Sequence, residues 1–408
     1  MKNIFVLSIA FVFAAANITW RSLKREVEVI SSTPVQIDRL PGSCPYLTKD
    51  PQANEVLSWV RAINDSTSML CYAVSADGGK TFGDPIEIPP SSNVHAHSEN
   101  VPKLVFKPSG EIIAVWGGHS NSEINPYAGN IFYSQSFDNG NTWTESTPLV
   151  SDTAGYDQRY FDIHLTADGE AAIIWLDNRK SAKAEGSALY FAKSRGKDGF
   201  KNERKVAEGT CQCCRTDLYI DEQNAIHVLY RSILKDSIRD IVHSVSIDDG
   251  QSFSRPRRIS NDNWVLKGCP HTGPSMTAND AGLHLAWFTG GTKKGSFYTS
   301  TKNKGASFTG EDSIGSAAKH PQISSLQNGK LVTVWDELVK KDFLFTSRIG
   351  VQLRTADGKS VYKNFVSPDD LPSTYPVVTS TTSGAALTAY CISKGNKKYI
   401  AYQHLEFR

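Results

Sequence analysis

The chain has 408 residues, 39% hydrophobic and 21% charged, the composition of a globular protein with material for a large core. Its 44 basic and 42 acidic side chains nearly cancel and form no long run of one sign, which excludes the electrostatic footprint of a nucleic-acid or anionic-lipid binder. Disorder, a collagen-like fibre and a multispanning membrane protein are excluded on the same grounds. The 30 Gly, 18 Pro, 8 Trp and 15 Tyr against 3 Met lean towards tight turns and aromatic-rich strands.

In chain order, the first feature is an apolar run from Ile4 to Ala15, broken only by Ser8, after Lys2 and before the small residues Ala14, Ala15 and Ala16. Residues 1–20 read as a secretory signal. The run falls short of the about 20 apolar residues of a membrane span, yet Arg21, Lys24 and Arg25 behind it also suit an uncleaved anchor. The expected location is secreted, periplasmic or cell-surface, with no membrane contact beyond such an anchor. Export permits disulfides, and 7 cysteines leave one unpaired unless it binds metal or another chain.

Beyond residue 26 the sequence repeats. Innermost strands are expected to begin near Cys44, Val101, Arg159, Arg215, Gly273, Pro321 and Tyr375, and second strands to end at Trp59, Trp116, Trp175, Tyr230, Trp287, Trp335 and Tyr390. Stretches such as Glu111 to Trp116 alternate as strands do. Each third strand runs into a turn of the form Ser/Thr-x-Asp/Asn-x-Gly-x-Ser/Thr-aromatic: Ser75 to Phe82, Ser136 to Trp143, Ser246 to Phe253 and Thr301 to Phe308. A worn copy stands at Lys197 to Phe200 and a shorter trace at Asp357 to Ser360. Glycines 79, 140, 199, 250, 305 and 358 lie 61, 59, 51, 55 and 53 residues apart, a period that marks repeat architecture. The Asp carboxylate can accept turn N–H groups, Gly supplies the positive φ, and the aromatic packs into the sheet. The expected fold is all-β: a propeller of seven blades, with six as the alternative, spanning residues 26–408. Its last unit lacks an outer strand, which Glu26 to Ser31 or Pro34 to Ile37 would supply to close the ring.

These turn residues are those of the Asp box, or BNR repeat, and over roughly residues 40–408 the chain resembles the sialidase-like β-propellers that carry it. The resemblance implies boxes on the face opposite the active site, so that Asp77, Asp138 and Asp248 are structural. Two departures are visible. The family's classical sialidases have six blades, and its Arg-Ile-Pro motif is missing where Leu40, Pro41, Cys44 and Pro45 stand.

With the boxes at the bottom, the inner-strand starts and second-strand exits gather at the top. Sialidase-type chemistry holds a substrate carboxylate with several arginines and uses a tyrosine nucleophile beside a carboxylate. Arg61, Arg159, Arg179, Arg215 and Arg231 are the candidate arginines, with Tyr156 and Tyr375, Asp157 and Glu99 as candidate catalytic groups. For each arginine the plainer alternative is a surface ion pair. The partner this implies is a glycan or small anionic ligand.

A sharper local signal is Cys211, Cys213 and Cys214 at the fourth inner strand, facing Cys269 and His271 at the fifth. Thiolates and imidazoles there suit copper or zinc, with His97 and His320 joining if they reach across the channel. A disulfide from Cys211 or Cys213 to Cys269, a vicinal Cys213–Cys214 bridge and a free thiol remain open. All five residues are expected in one cluster. His227, His284 and His404 read as packed side chains and Trp116, Trp175, Trp287 and Trp335 as inter-blade packing, whereas Trp264 is a candidate ligand platform. Three functions follow: a glycoside hydrolase of an anionic sugar, a transition-metal protein for redox or metal handling, and a non-catalytic glycan or protein binder.

Overall fold

A computed structural model describes residues 29–120, 125, 128–151, 156–179, 185–235, 237–341 and 344–408, so the segment read as signal or anchor lies outside the described residues. Every regular element described is a strand, apart from single 3-10 turns at Pro89–Ser91 and Gly196–Asp198. The strands form six antiparallel sheets, of which one has eight members. Within that sheet the run Gln158–Leu165, Ala171–Asp177, Ser187–Ser194, Phe200–Thr210 meets the run Asp217–Ile220, Ile226–Leu234, Ile238–Ser246, Arg257–Arg258 only where Thr210 pairs with Ser232.

The first strands of the successive runs are Gly42–Lys49, Lys103–Phe106, Gln158–Leu165, Asp217–Ile220, Ser275–Asn279, Ala318–Ser325 and Ser373–Ser380. Each packs beside the next, and the last returns to the first. The ring closes through the N-terminal segment. Val29–Ser31 pairs antiparallel with Leu405–Phe407, and Val35 and Gln36 pair with Tyr402 and Ala401. The last sheet thus takes its outer strand from the other end of the chain, as the sequence led us to expect; Glu26 to Glu28 lie outside the described residues.

Second strands are sandwiched between neighbouring sheets, so they read as near-continuous apolar runs rather than strict alternations. Ala171–Asp177 is buried along its whole length. Trp59, Trp116, Trp175, Trp287 and Trp335 are fully buried within these strands, and the strands do not end at them as expected: they run on to Ala62, His119, Asp177, Gly290 and Lys341, as those of Tyr230 and Tyr390 run on to Leu234 and Lys394. Each indole N–H is given an acceptor, as a buried indole requires: Asp38, Asn93, Asp177, Asp262 and Glu337 respectively.

The Asp turns are built as their residue types dictate. In the first, Asp77 accepts the Thr81 N–H (2.9 Å) and hydroxyl (2.6 Å), while the Ser75 hydroxyl accepts the Gly79 N–H (2.8 Å). The same bonds recur around Asp138 and Asp248, and Asn303 takes the carboxylate's place with Ser307. The worn copy differs: Gly196 and Ser194 donate instead to Glu170 from the neighbouring hairpin.

These turns also join the sheets. A Cβ on Gly140, Gly199 or Gly358 would lie 2.3, 2.0 or 2.0 Å from the hydroxyl oxygen of Tyr72, Tyr133 or Tyr298, each on the third strand of the preceding run. His243 meets Gly305 and Phe191 meets Gly250 in the same way. Gly250, at φ +77°, would set a Cβ 2.2 Å from Phe191. Gly250→Ala therefore combines left-handed backbone strain with overpacking and should cost about 2–4 kcal/mol, read as a lowered midpoint in urea unfolding.

The Ser252 hydroxyl and N–H, with the Ser246 hydroxyl, hold the Asp248 carboxyl down at about 2. A depressed folded-state value contributes stability above the unfolded value near 4, and that contribution is lost as pH falls towards 2. Asp248→Asn, which copies Asn303, should keep the turn and abolish its share of this acid response. The melting temperatures of wild type and variant should then converge as the pH drops from 4 to 2.

Candidate functional site

The inner strands carry a repeated irregularity at one end. Register breaks fall between Ser43 and Tyr46, Arg159 and Asp162, Lys319 and Gln322, and Thr374 and Val377. Within them Cys44, Tyr160, His320 and Tyr375 have φ of 57°, 55°, 48° and 52°, and His271 has 47°. A left-handed conformation costs a non-glycine residue about 1–2 kcal/mol, and a bulge re-aims its side chain. Strain repeated on strand after strand at one mouth is characteristic of a working surface.

Behind this mouth a cavity of about 340 Å³ runs along the axis, lined from all of the inner strands, by Tyr46, Lys103, Asp162, Arg215, Asp217, His320 and Tyr375 among others. Beside its lining residues Arg215 and His320, Glu99 is 1% exposed and neither carboxylate oxygen accepts a hydrogen bond among the described residues. Arg215 Nη1 lies 3.6 Å and His320 Nε2 3.8 Å from Glu99 Oε1. His320 Nδ1 bonds Asp336 at 2.9 Å, and its ring stacks on Tyr375 at 4.2 Å. Burial opposes a charge on His320, but Asp336 and Glu99 outweigh it and raise its proton affinity. Burial, reinforced by Glu99 and Asp336, pushes the Tyr375 phenol up to about 12. Deeper in the channel Lys103 pairs with Asp162 at 2.8 Å. Burial, and then Asp162, push the proton affinity of Asp217 well above that of an ordinary aspartate.

At the rim a patch of imidazoles forms. His95 lies 4.1 Å from His119 and 6.5 Å from His97, and His97 lies 6.0 Å from His271 and 5.9 Å from the Tyr160 ring, centroid to centroid. Burial, with His271, His95 and Arg159 adding, lowers the proton affinity of His97. Beneath Tyr160 the three cysteines converge: Cys211 Sγ is 3.6 Å from Cys213 Sγ and 3.2 Å from Cys214 Sγ.

Of the sequence candidates, Glu99 and Arg215 meet in the channel wall and His97 and His271 meet at its rim. The arginine cluster does not form. Arg61 pairs with Asp38 and Glu87, and Arg179 with Asp177 and both oxygens of Glu203 while covering the Tyr190 ring. Arg231 is buried, donates to the carbonyls of Arg239 and Phe288, and lies against Trp264. Trp264 is thereby a packing residue, set edge-on to Phe288. Arg159 pairs with Asp157, which also accepts the Gly129 N–H. Tyr156 is half-buried next to them.

The five-residue thiol and imidazole cluster is corrected as well. Cys269 is exposed and stands outside the group that Cys211, Cys213 and Cys214 form, and none of the seven cysteines is in a disulfide. The short loop from Gly268 to Gly273 carries Cys269 outward, where the αL turn at His271 directs the imidazole, not the thiol, to the mouth. Lys103, Asp162 and Asp217 escaped the sequence reading because it took mouth residues from the segments up to the expected strand starts, whereas Lys103 and Asp217 open their strands two residues beyond Val101 and Arg215, and Asp162 lies inside Gln158–Leu165. Polar residues at otherwise apolar strand positions were the available signal.

No protein-family model and no curated protein sequence matches the chain. Among solved structures, a protein of unknown function from Dyadobacter fermentans superposes with a TM-score of 0.56 at 16% identity, over 93% of this chain and 99% of that one. The intramolecular trans-sialidase from Ruminococcus gnavus, solved with oseltamivir carboxylate, gives 0.51 at 10% identity over 88% and 94% of the two chains. Polysaccharide lyase Uly1 gives 0.52 at 13% identity over 90% of each. The likeness establishes the fold as a sialidase-like β-propeller. Among the described residues no helix is long and apolar enough to cross a membrane.

Since Arg179 neutralises Asp177, which is fully buried, Arg179→Ala should cost about 3 kcal/mol by stranding that carboxylate. Urea unfolding measures the loss, and any ligand bound at the channel should bind the variant as it binds wild type.

Proposed function

We propose that residues 26–408 form one seven-bladed propeller and that the chain is an exported carbohydrate-active enzyme, a glycoside hydrolase taking an anionic sugar at the mouth of the channel. The blade number is inferred from the order in which the inner strands meet, and from the single Thr210–Ser232 pair that merges two four-stranded runs. The observation that carries the functional reading is Glu99, a buried carboxylate whose two oxygens accept no hydrogen bond from the described residues. Such a group is costly to keep and is the kind of local conflict found where chemistry is done. The fold likeness to a trans-sialidase and a polysaccharide lyase supports the substrate class.

In this reading Arg215 holds the sugar's carboxylate. Tyr375 presents its oxygen to the anomeric carbon while Glu99 takes the phenolic proton, and His320, kept protonated by Asp336, gives its proton to the leaving oxygen. The glycosidic bond breaks as the bond to Tyr375 forms. Water then attacks the sugar and yields a proton to His320, and the phenol recovers its own from Glu99.

Glu99→Gln should reduce turnover of sialic-acid or uronic-acid conjugates at least about 100-fold with the melting temperature unchanged or raised, and Arg215→Ala should raise KM for anionic substrates. Full activity in Glu99→Gln would remove the carboxylate from catalysis. Binding of anionic glycans without turnover by wild type would make the chain a binder. The raised value of His320 keeps its proton below the unfolded value near 6.5 and releases it as pH rises through the folded value. Turnover should accordingly fall on the alkaline side, and Asp336→Asn should move that limb to lower pH. Export predicts either a mature chain lacking residues 1–20, read by N-terminal sequencing, or recovery with the membrane fraction if that segment stays as an anchor.

A further inference from the structure

Cys211, Cys213 and Cys214 are 1%, 5% and 1% exposed, and their sulfurs all lie within 4.8 Å of one another. Three thiolates bound to one ion through bonds of about 2.3 Å sit about 3.8–4.0 Å apart. The observed separations of 3.2 and 3.6 Å need to open by about 0.2–0.8 Å to reach that spacing. A disulfide would require about 2.05 Å. The turn that carries the trio is pinned by the Cys211 N–H on the Arg231 carbonyl at 2.8 Å, and Tyr160, Leu189, Tyr230 and Val242 give it an apolar shell.

We propose that these three cysteines hold one Cu(I) ion, and that the imidazole patch of His95, His97, His119 and His271 is its point of entry. Soft thiolates select Cu(I) or zinc, and coordination number decides between them. Structural zinc takes four protein ligands. No fourth His, Cys, Asp or Glu donor joins the trio among the described residues, whereas Cu(I) is content with three. Entry follows from position. His95, His119 and His271 are exposed and His97 half-buried, and His97 meets the edge of Tyr160, which packs on the trio.

The test uses the full, reduced chain titrated with Cu(I) under argon in competition with bicinchoninate, and in parallel with zinc sulfate. One Cu(I) per chain should be retained. Cys211→Ser and Cys214→Ser should each weaken retention at least about 100-fold, and Cys269→Ser should leave it unchanged. His95→Ala combined with His271→Ala should slow loading without altering the final stoichiometry. Should a trio variant fail to fold, the copper K-edge spectrum of wild type decides: three sulfurs at about 2.3 Å are expected, and a nitrogen-dominated shell overturns the site. Zinc retained in preference to Cu(I), an equal loss in Cys269→Ser, or a Cys211–Cys214 disulfide in protein purified from its native compartment would each overturn it too.

Discussion

The contact on which the rest of the molecule depends is the one between a turn glycine and the third strand of the preceding run. Neighbouring sheets in a propeller share few hydrogen bonds, so their spacing is set by side-chain packing across the seam. Here the left-handed turn brings a bare Cα against Tyr72, Tyr133, Phe191, His243 or Tyr298; an Asp or Asn side chain holds the turns of Gly140, Gly250 and Gly305 in that conformation, and Glu170 holds that of Gly199. The hydrogen bonds of the turn are worth little singly at an exposed site. Their role is geometric: they let each sheet approach its neighbour to the same depth, and equal depths are what allow the last sheet to reach the first. Leu387 against Gly79 closes the circle.

Regular spacing at the bottom has a consequence at the top. Inner strands crowd the axis, and the left-handed bulges at Cys44, Tyr160, His320 and Tyr375 turn large side chains across it. The hydrogen bonds that hold two of them come from the neighbouring runs. Asn100 accepts the Tyr160 N–H at 2.7 Å, Asp336 accepts the Tyr375 N–H at 2.7 Å, and Thr216 donates to the Tyr160 carbonyl. The strain is thus distributed over contacts between sheets, so the rigidity of the ring holds the mouth in shape.

How much could be read in the sequence follows from this. The turn residues recur at a near-constant period and each lies within eight positions, so the architecture was legible, as was the closure by the N-terminal strand. The aromatic or histidine three positions before each turn, from Tyr72 to Tyr298, belongs to the same pattern and went unread because its partner glycine is about 60 residues on. The trio Cys211, Cys213 and Cys214 was legible because its members are adjacent in the chain. Cys269 was misplaced because equal height on neighbouring strands does not fix which side of a loop faces inward. The arginines failed for a different reason: a charged side chain is placed by the carboxylate it finds, and Glu203, Asp38 and the carbonyls around Arg231 cannot be paired to their arginines from sequence spacing. His320, Asp336 and Tyr375 come from two inner strands and one second strand, and only the bulges bring them together.

The thiol trio and the acidic centre are also closer to one another than their separate chemistries imply. Cys214 is followed directly by Arg215, whose guanidinium faces Glu99, and Glu99 is followed by Asn100, which holds the Tyr160 bulge above the trio. Two short routes therefore join the sulfurs to the carboxylate, one through the Cys214–Arg215 peptide bond and the 3.6 Å contact of Arg215 with Glu99, the other through the packing of Tyr160, its N–H on Asn100 and the Glu99–Asn100 peptide bond. Close-packed interiors transmit displacement instead of absorbing it, and Gly273 lies so near Arg215 that a Cβ there would come within 2.4 Å of the Arg215 carbonyl oxygen. The backbone at Arg215 is thus closely packed between the sulfurs on one side and the carboxylate on the other.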